Sequence, residues 1–250
     1  MPVTVSAQKA MGNNVAVAPT FTAVARWLGL VSAAGTVLIS ALYAAVLFAG
    51  LESLPSPQQP IGNPWFSLME VLILLLMPLL MGLMGAVHAW APAEGRVLTL
   101  LALAFMTLLA GLTSSVHFVI FALSRQTAFA GPAWRPLLSF QWPSVPYALD
   151  ILAWDVFFAL AVLFAAPVFR GSRLARSIRG MLIASGVLAL AGLSGVIFGD
   201  MRLRAIGIAG YAGVFPLAVL LMAFLFYRSV PPKKGESPAI PPAAISKLPS

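Results

Sequence analysis

Six long apolar stretches are the feature of this sequence that most restricts its fold. Each runs to about 20 residues or more, which at 1.5 Å per residue matches the ~30 Å hydrocarbon core of a bilayer. A transmembrane β-barrel would instead show segments of about 10 residues with alternating polarity, and the sequence has no such alternation. It therefore predicts an all-α polytopic membrane protein, a bundle of six transmembrane helices.

The composition agrees with a lipid environment. The 250 residues are 60% hydrophobic and 9% charged, whereas soluble domains are about a quarter charged and under half apolar. The formal net charge of +8 fits the basic cytoplasmic loops of membrane proteins. The predicted partner is therefore the lipid bilayer and not nucleic acid.

The residue inventory removes several kinds of chemistry. The chain has no cysteine, which excludes disulfides, thiolate nucleophiles and iron–sulfur ligation. Its two histidines, His88 and His117, are too few for a three-histidine zinc centre. No cofactor is predicted, and a metal ion bound by mixed ligands stays open.

The apolar pattern divides the chain into a flexible tail over residues 1–25, a six-helix transmembrane domain over 26–229 and a disordered cytoplasmic tail over 230–250. Helix ends are predicted to within two to four residues. The six predicted helices are Trp27–Ala49, a second from the Asn63-Pro64 pair to Trp90, Val97–Ser124, Val145–Phe169, Met181–Phe198 and Leu203–Tyr227.

The basic residues predict an orientation. With the N-terminus in the cytoplasm, the cytoplasmic side holds 11 of the 15 lysines and arginines and the outer side holds 4. This asymmetry is typical of cytoplasmic loops, so we expect a cytoplasmic (inner) membrane protein with both termini inside. The predicted Arg170–Arg179 loop is interpreted as a topology determinant, with contact to anionic lipid as the alternative.

Glycine and proline predict how the helices pack. Gly207, Gly210 and Gly213 recur every third residue, a spacing that favours close helix contact or a locally unwound helix that lines a site. Pro78 and Pro216 fall inside predicted helices and are expected to kink them.

Ionisable residues inside the apolar stretches are the candidate functional residues. Each costs about 2.5–3.5 kcal/mol on insertion scales, so such residues tend to face the bundle interior and to have partners. Glu70, His117, Asp150 and Asp155 come from three helices and fall at similar depths in the outer half, and Arg204 opens the sixth helix. We predict that these five residues form one polar cluster for binding or proton coupling.

The two aspartates are expected to differ in role. They are five residues apart, and therefore about 140° apart around an α-helix. This angle predicts that Asp155 faces the interior, whereas Asp150 faces the outer loops and pairs with an arginine there. The preceding loop is rich in aromatic residues, which predicts either an interfacial belt or a lid over an outward cavity; these residues are Trp134, Phe140, Trp142 and Tyr147.

Three functions fit these residues. Transport of a small solute or ion, or proton-coupled transport, is favoured because buried carboxylates with histidine or arginine bind and release protons or cations. The first alternative is a structural, sensory or assembly subunit, as a homodimer or in a membrane complex. The second is a membrane-embedded, metal-dependent lipid-modifying enzyme with Glu70, His117 and Asp155 as ligands. An enzyme is less favoured because no H-E-x-x-H motif occurs.

Overall fold

The computed structural model describes residues 21–56, 59–129 and 131–229, and within them it contains helices and no strands. Six helices are long and apolar enough to cross a membrane. The prediction of an all-α, six-helix membrane protein is confirmed. The helices are α1 (Ala23–Glu52), α2 (Trp65–Trp90), α3 (Ala93–Leu123), α4 (Val145–Val168), α5 (Arg173–Phe198) and α6 (Met201–Arg228). Residues 1–20 of the predicted N-terminal tail and the predicted tail over 230–250 lie outside the described residues.

The six helices form a closed bundle. Each helix packs against the next in the chain, and α6 also packs against α1. The most buried helix is α4, with 61% of its apolar window inside the bundle, against 17% for α1. Polar groups on α4 are therefore held among protein side chains, where they require partners.

The start of the first helix, α1, contacts the end of the last helix, α6. Arg26, near the start of α1, donates hydrogen bonds from Nε and Nη2 to the carbonyl oxygens of Phe226 (3.1 Å) and Tyr227 (2.7 Å) at the end of α6. The last carbonyls of a helix lack partners within it and carry partial negative charge, so a cation is favourable there. The start of α1 and the end of α6 consequently lie on the same side of the bundle.

The start of α5 differs from the prediction. The helix begins at Arg173 rather than near Met181, because the Ser172 hydroxyl caps it by accepting a hydrogen bond from the Ala175 amide at 3.1 Å. Arginine also favours helices. The predicted Arg170–Arg179 loop is thus mostly the first two turns of α5, in which Arg173, Arg176 and Arg179 are exposed. Hydropathy marks only the part of a helix that suits lipid, and it misses such a polar extension.

Two helices contain π-helical segments, in which hydrogen bonds join residues five apart instead of four. They span Leu152–Phe158 in α4 and Ala209–Val214 in α6. The segments contact each other through Trp154 and Tyr211, whose ring centroids are 5.0 Å apart. Such segments are rare and frequently occur at functional sites.

Two of the three regularly spaced glycines of α6 are sites of close packing. A Cβ on Gly207 would lie 3.2 Å from the Cα of Gly192 in α5, and one on Gly210 would lie 2.7 Å from the Ser185 carbonyl oxygen. The same atom on Gly213 would meet nothing within 4 Å. The small residues therefore bring α5 and α6 together at Gly207 and Gly210.

The predicted orientation can be tested with single cysteines, because the chain has none of its own. Thr127→Cys places an exposed thiol between α3 and α4, and Ser177→Cys places one on the exposed start of α5. We expect a membrane-impermeant maleimide to label Thr127→Cys in intact cells and Ser177→Cys only after permeabilisation. Labelling with the opposite pattern would reverse the orientation.

Candidate functional site

Five buried side chains from four helices form one continuous series of ionic contacts, called here the ionic chain. It begins at Glu70, whose Oε2 lies 2.8 Å from His117 Nδ1, and continues from His117 Nε2 to Asp150 Oδ1 at 3.6 Å. Asp150 Oδ2 accepts a hydrogen bond from Arg204 Nη2 at 2.7 Å, and Arg204 Nε lies 3.5 Å from Asp155 Oδ2. The structure therefore brings together all five residues that the sequence analysis selected.

The ionic chain is closed to solvent. All five residues are buried, and the most exposed of them, Asp150, has 7% of its surface accessible. Isolated charges would be very unfavourable at such depth, whereas paired charges are tolerated. The contacts join α2 to α3, α3 to α4 and α4 to α6, so the same bonds that satisfy the charges also hold the helices in register.

The expected roles of the two aspartates are confirmed in part. Asp155 is buried in the interior and Asp150 pairs with an arginine, Arg204, but the predicted position of Asp150 is wrong. Asp150 does not face the outer loops: it lies between His117 and Arg204, and Asp155 contacts the same guanidinium group. The reason is the π-helical segment that begins at Leu152, directly after the turn that carries Asp150. Its wider turn brings residues five apart towards the same side of the helix. The angle of 140° holds only for a regular α-helix.

Aromatic residues of the α3–α4 loop and of the start of α4 cover the ionic chain. The ring of Phe140 lies 5.0 Å from that of His117, and the Arg204 guanidinium carbon lies 4.5 Å from the centre of the Tyr147 ring. Phe140 and Trp142 both pack against Tyr147. Trp134 instead packs against Phe129. Three of the four aromatic residues noted in the sequence thus form this cover.

The charges of the ionic chain do not balance. It contains three carboxylates and only two groups that can be cationic, His117 and Arg204. Even with both histidine nitrogens protonated, one negative charge is in excess. The imbalance is located at Asp155, because neither of its oxygens accepts a hydrogen bond from the described residues although the side chain has no accessible surface.

The predicted metal ligands Glu70, His117 and Asp155 do not fit a metal site. Both nitrogens of His117 already face carboxylates, and the Arg204 guanidinium group is the ionic partner of Asp155. A cation placed between a carboxylate and a guanidinium group would be repelled. Within residues 21–56, 59–129 and 131–229, no group of three or more histidine, aspartate or glutamate side chains could hold a metal ion.

Sequence reasoning missed a second polar group, at the end of the bundle that carries the α3–α4 loop. Arg125 donates a hydrogen bond to the Ser67 hydroxyl, which in turn donates to the Asn63 side-chain oxygen. Ser67 and Glu70 are three residues apart, which places them on one side of α2, and Asn63 lies just before that helix. This spacing was the available signal, and it describes a polar stripe that leads from an exposed surface towards the ionic chain.

Two tyrosines near the ionic chain were also missed. Tyr211 of α6 lies within electrostatic range of Arg204, Asp150 and Asp155, and Tyr43 of α1 lies within range of Asp150 and Glu70. No motif marks either residue in the sequence. His88 is remote from this group and contacts Thr99, with 2.8 Å between its Nδ1 and the hydroxyl oxygen.

Comparison with known proteins identified no relative of this chain. The chain shows significant similarity to no protein-family model, no curated protein and no solved structure. The six apolar helices define the class, a multi-pass integral membrane protein.

The contact between Asp155 and Gly207 predicts a specific effect on stability. A Cβ at Gly207 would lie 2.7 Å from Asp155 Oδ1, so Gly207→Ala should destabilise the protein by about 1–3 kcal/mol, as overpacked cores do. The matched control is Gly213→Ala, which meets open space and should be neutral or stabilising by up to ~1 kcal/mol because alanine favours helices. Unfolding of both variants in detergent measures the difference, and equal effects would contradict the packing at Asp155.

Proposed function

We propose that this membrane protein transports a small solute or ion and that the ionic chain couples transport to the binding and release of a proton. In this proposal the protein lies in the cytoplasmic membrane with both termini in the cytoplasm. The observation that carries it is the excess carboxylate of the ionic chain, Asp155, which is fully buried and has no hydrogen-bond donor among the described residues.

The chemistry of the ionic chain favours a proton. Ionisable side chains are rare in transmembrane helices, and carboxylates with histidine commonly form proton relays there. One added proton would remove the excess negative charge, and its loss would restore it. Because the free energy of a buried charge depends strongly on its partners, each protonation state would favour a different arrangement of the helices.

The helices around the ionic chain suit a change of conformation. Both α4 and α6 carry π-helical segments beside it, and α5 breaks after Gly192. Discontinuous helices line the sites of many transporters, where they allow one part of the bundle to move against another. The closed arrangement would open towards the α3–α4 loop if Phe140 and Tyr147 moved away from His117 and Arg204.

Proton flux through reconstituted protein tests the proposal. Protein in lipid vesicles with a trapped pH-sensitive dye is given a series of solute and ion gradients, and a gradient that drives proton movement identifies a coupled substrate. We expect Glu70→Gln and Asp155→Asn to reduce the flux at least tenfold, because each removes an ionisable group from the ionic chain. The matched control is Glu94→Gln, since Glu94 is exposed and lies at the start of α3; it should keep the normal flux.

Two results would contradict proton coupling through the ionic chain. One is flux that is unchanged in both Glu70→Gln and Asp155→Asn while the protein remains folded. The other is the absence of proton movement under every gradient when the vesicles demonstrably contain folded, inserted protein.

A structural role is the second candidate, and the closure of the ionic chain favours it. All five side chains are buried and each contact joins two helices, as expected of a network that fixes helix register in an assembly subunit, alone as a dimer or within a membrane complex. Breaking one buried pair costs about 3–5 kcal/mol when a charge is left unpaired. His117→Ala should then lower the melting temperature strongly in a protein that moves no protons, and a small change would argue against this role.

A further inference from the structure

We infer that Asp155 is the proton-binding residue of the ionic chain and that, once protonated, it exchanges its contact with Arg204 for a hydrogen bond to the Ala189 carbonyl at the break in α5. The inference rests on the proposed function, which it makes specific to one residue. It follows from the pairing of the three carboxylates, the geometry of α5 and the packing around Asp155.

Asp155 is the carboxylate with the weakest pairing of the three. Glu70 lies 2.8 Å from His117, and Asp150 accepts a hydrogen bond of 2.7 Å from Arg204. Asp155 has only a longer ionic contact of 3.5 Å with Arg204, and neither its oxygens nor Arg204 Nε has a hydrogen-bond partner among the described residues. The carboxylate with the fewest donors is the one whose charged form is least stabilised by its surroundings.

The break in α5 removes the usual donor of the Ala189 carbonyl, which borders the same small space as Asp155. In a regular helix the Leu193 amide would donate to the Ala189 carbonyl, but here it donates to the Leu190 carbonyl at 3.1 Å. A Cβ built on Gly207 would lie 2.7 Å from Asp155 Oδ1 and 3.3 Å from the Ala189 carbonyl oxygen. Both oxygens therefore border the space that the missing Gly207 side chain leaves. A carboxylate cannot donate to a carbonyl oxygen, whereas a carboxylic acid can.

The packing at Asp155 favours a proton over a metal cation. Its carboxylate rests against the backbones of Gly192 and Gly207, so that even a single added Cβ at Gly207 would be only 2.7 Å from Oδ1. A cation such as Ca²⁺ or Mg²⁺ needs about six oxygen ligands, and Arg204 already places a positive charge beside this carboxylate. A proton needs no additional space and no further ligands.

Few other charged groups act on Asp155. Its own helix contributes Asp150, α6 contributes Arg204 and Tyr211, and α3 contributes His117 through Asp150. The ionisable residues of α5 are three arginines at its start, and the nearest in sequence, Arg179, is 13 residues before Gly192, or about 20 Å along the helix. Glu70 of α2 lies on the far side of His117.

Binding of one proton therefore has a defined result. The Asp155 carboxylate becomes a neutral carboxylic acid, the net charge of the ionic chain with a doubly protonated His117 goes from −1 to zero, and no bond other than O–H forms. Arg204 keeps Asp150 as its partner. Asp155 of α4 loses its contact with Arg204 of α6 and gains a hydrogen bond to the Ala189 carbonyl of α5. Both π-helical segments adjoin this exchange, so we expect them to move with it.

Infrared difference spectroscopy of the reconstituted protein tests this inference without any transported solute. As the pH is lowered, the wild-type protein should develop the C=O stretch of one protonated carboxylic acid. The band should be absent in Asp155→Asn and present in Glu70→Gln and Asp150→Asn. Far-UV circular dichroism and melting temperature report whether each variant is folded.

A second measurement keeps the test decisive if Asp155→Asn does not fold. Carbon-13 labelling of the aspartate side-chain carboxyls in the wild-type protein should shift the same band, and Gly207→Ala, which pushes on Asp155 Oδ1, should displace its titration midpoint relative to Gly213→Ala. An unshifted band after labelling overturns the inference, as does a band that persists in folded Asp155→Asn.

The two proposals fail in different ways. A band that depends on Asp155, in a protein that moves no protons under any gradient, would support the assignment of Asp155 and overturn transport. Proton flux together with a band that depends on Glu70 or Asp150 would support transport and overturn the assignment.

Discussion

The carboxylate of Asp150 joins the two halves of the ionic chain, and the arrangement of the other helices depends on it. One oxygen faces His117 of α3 and the other accepts a hydrogen bond from Arg204 of α6. His117 in turn holds Glu70 of α2. A single side chain on the most buried helix thus connects three other helices, at a depth where charge without partners is very unfavourable. The position of α4 at the centre of the bundle is what makes this sharing possible.

The neighbourhood of Asp150 is also the least regular part of the fold. A π-helical segment follows it in α4, a second one faces that segment from α6, and α5 breaks where it meets Gly207. Each irregularity coincides with a contact of this region. The first contains Asp155, which contacts Arg204. The second contains Gly210, whose carbonyl accepts a hydrogen bond from the Ser185 hydroxyl at 2.9 Å. The third follows Gly192, whose backbone packs near Asp155. Irregular backbone at membrane depth is tolerated where protein satisfies its polar groups.

The sequence predicted most of the fold because lipid imposes a simple rule on it. Apolar length marks a crossing helix, so five of the six helices were placed within a few residues. The polar start of α5 was missed because its arginines carry no apolar signal. Depth along each helix likewise predicted that Glu70, His117 and the aspartates would share one level. Their angular positions could not be predicted, since a π-helical turn is a response to tertiary packing and leaves no clear pattern in the residues themselves.

Coupling between Glu70 and Asp150 is the most direct measure of whether the ionic chain acts as one unit. The two carboxylates face opposite nitrogens of His117 and so influence each other through that ring. The free energy of unfolding in detergent is measured for Glu70→Gln, Asp150→Asn and the double variant. If the ionic chain is connected, the change in the free energy of unfolding of the double variant should differ from the sum of the two single changes by more than about 0.5 kcal/mol. If the single effects sum to the effect of the double variant within about 0.3 kcal/mol, Glu70 and Asp150 act independently. That result would contradict a single network.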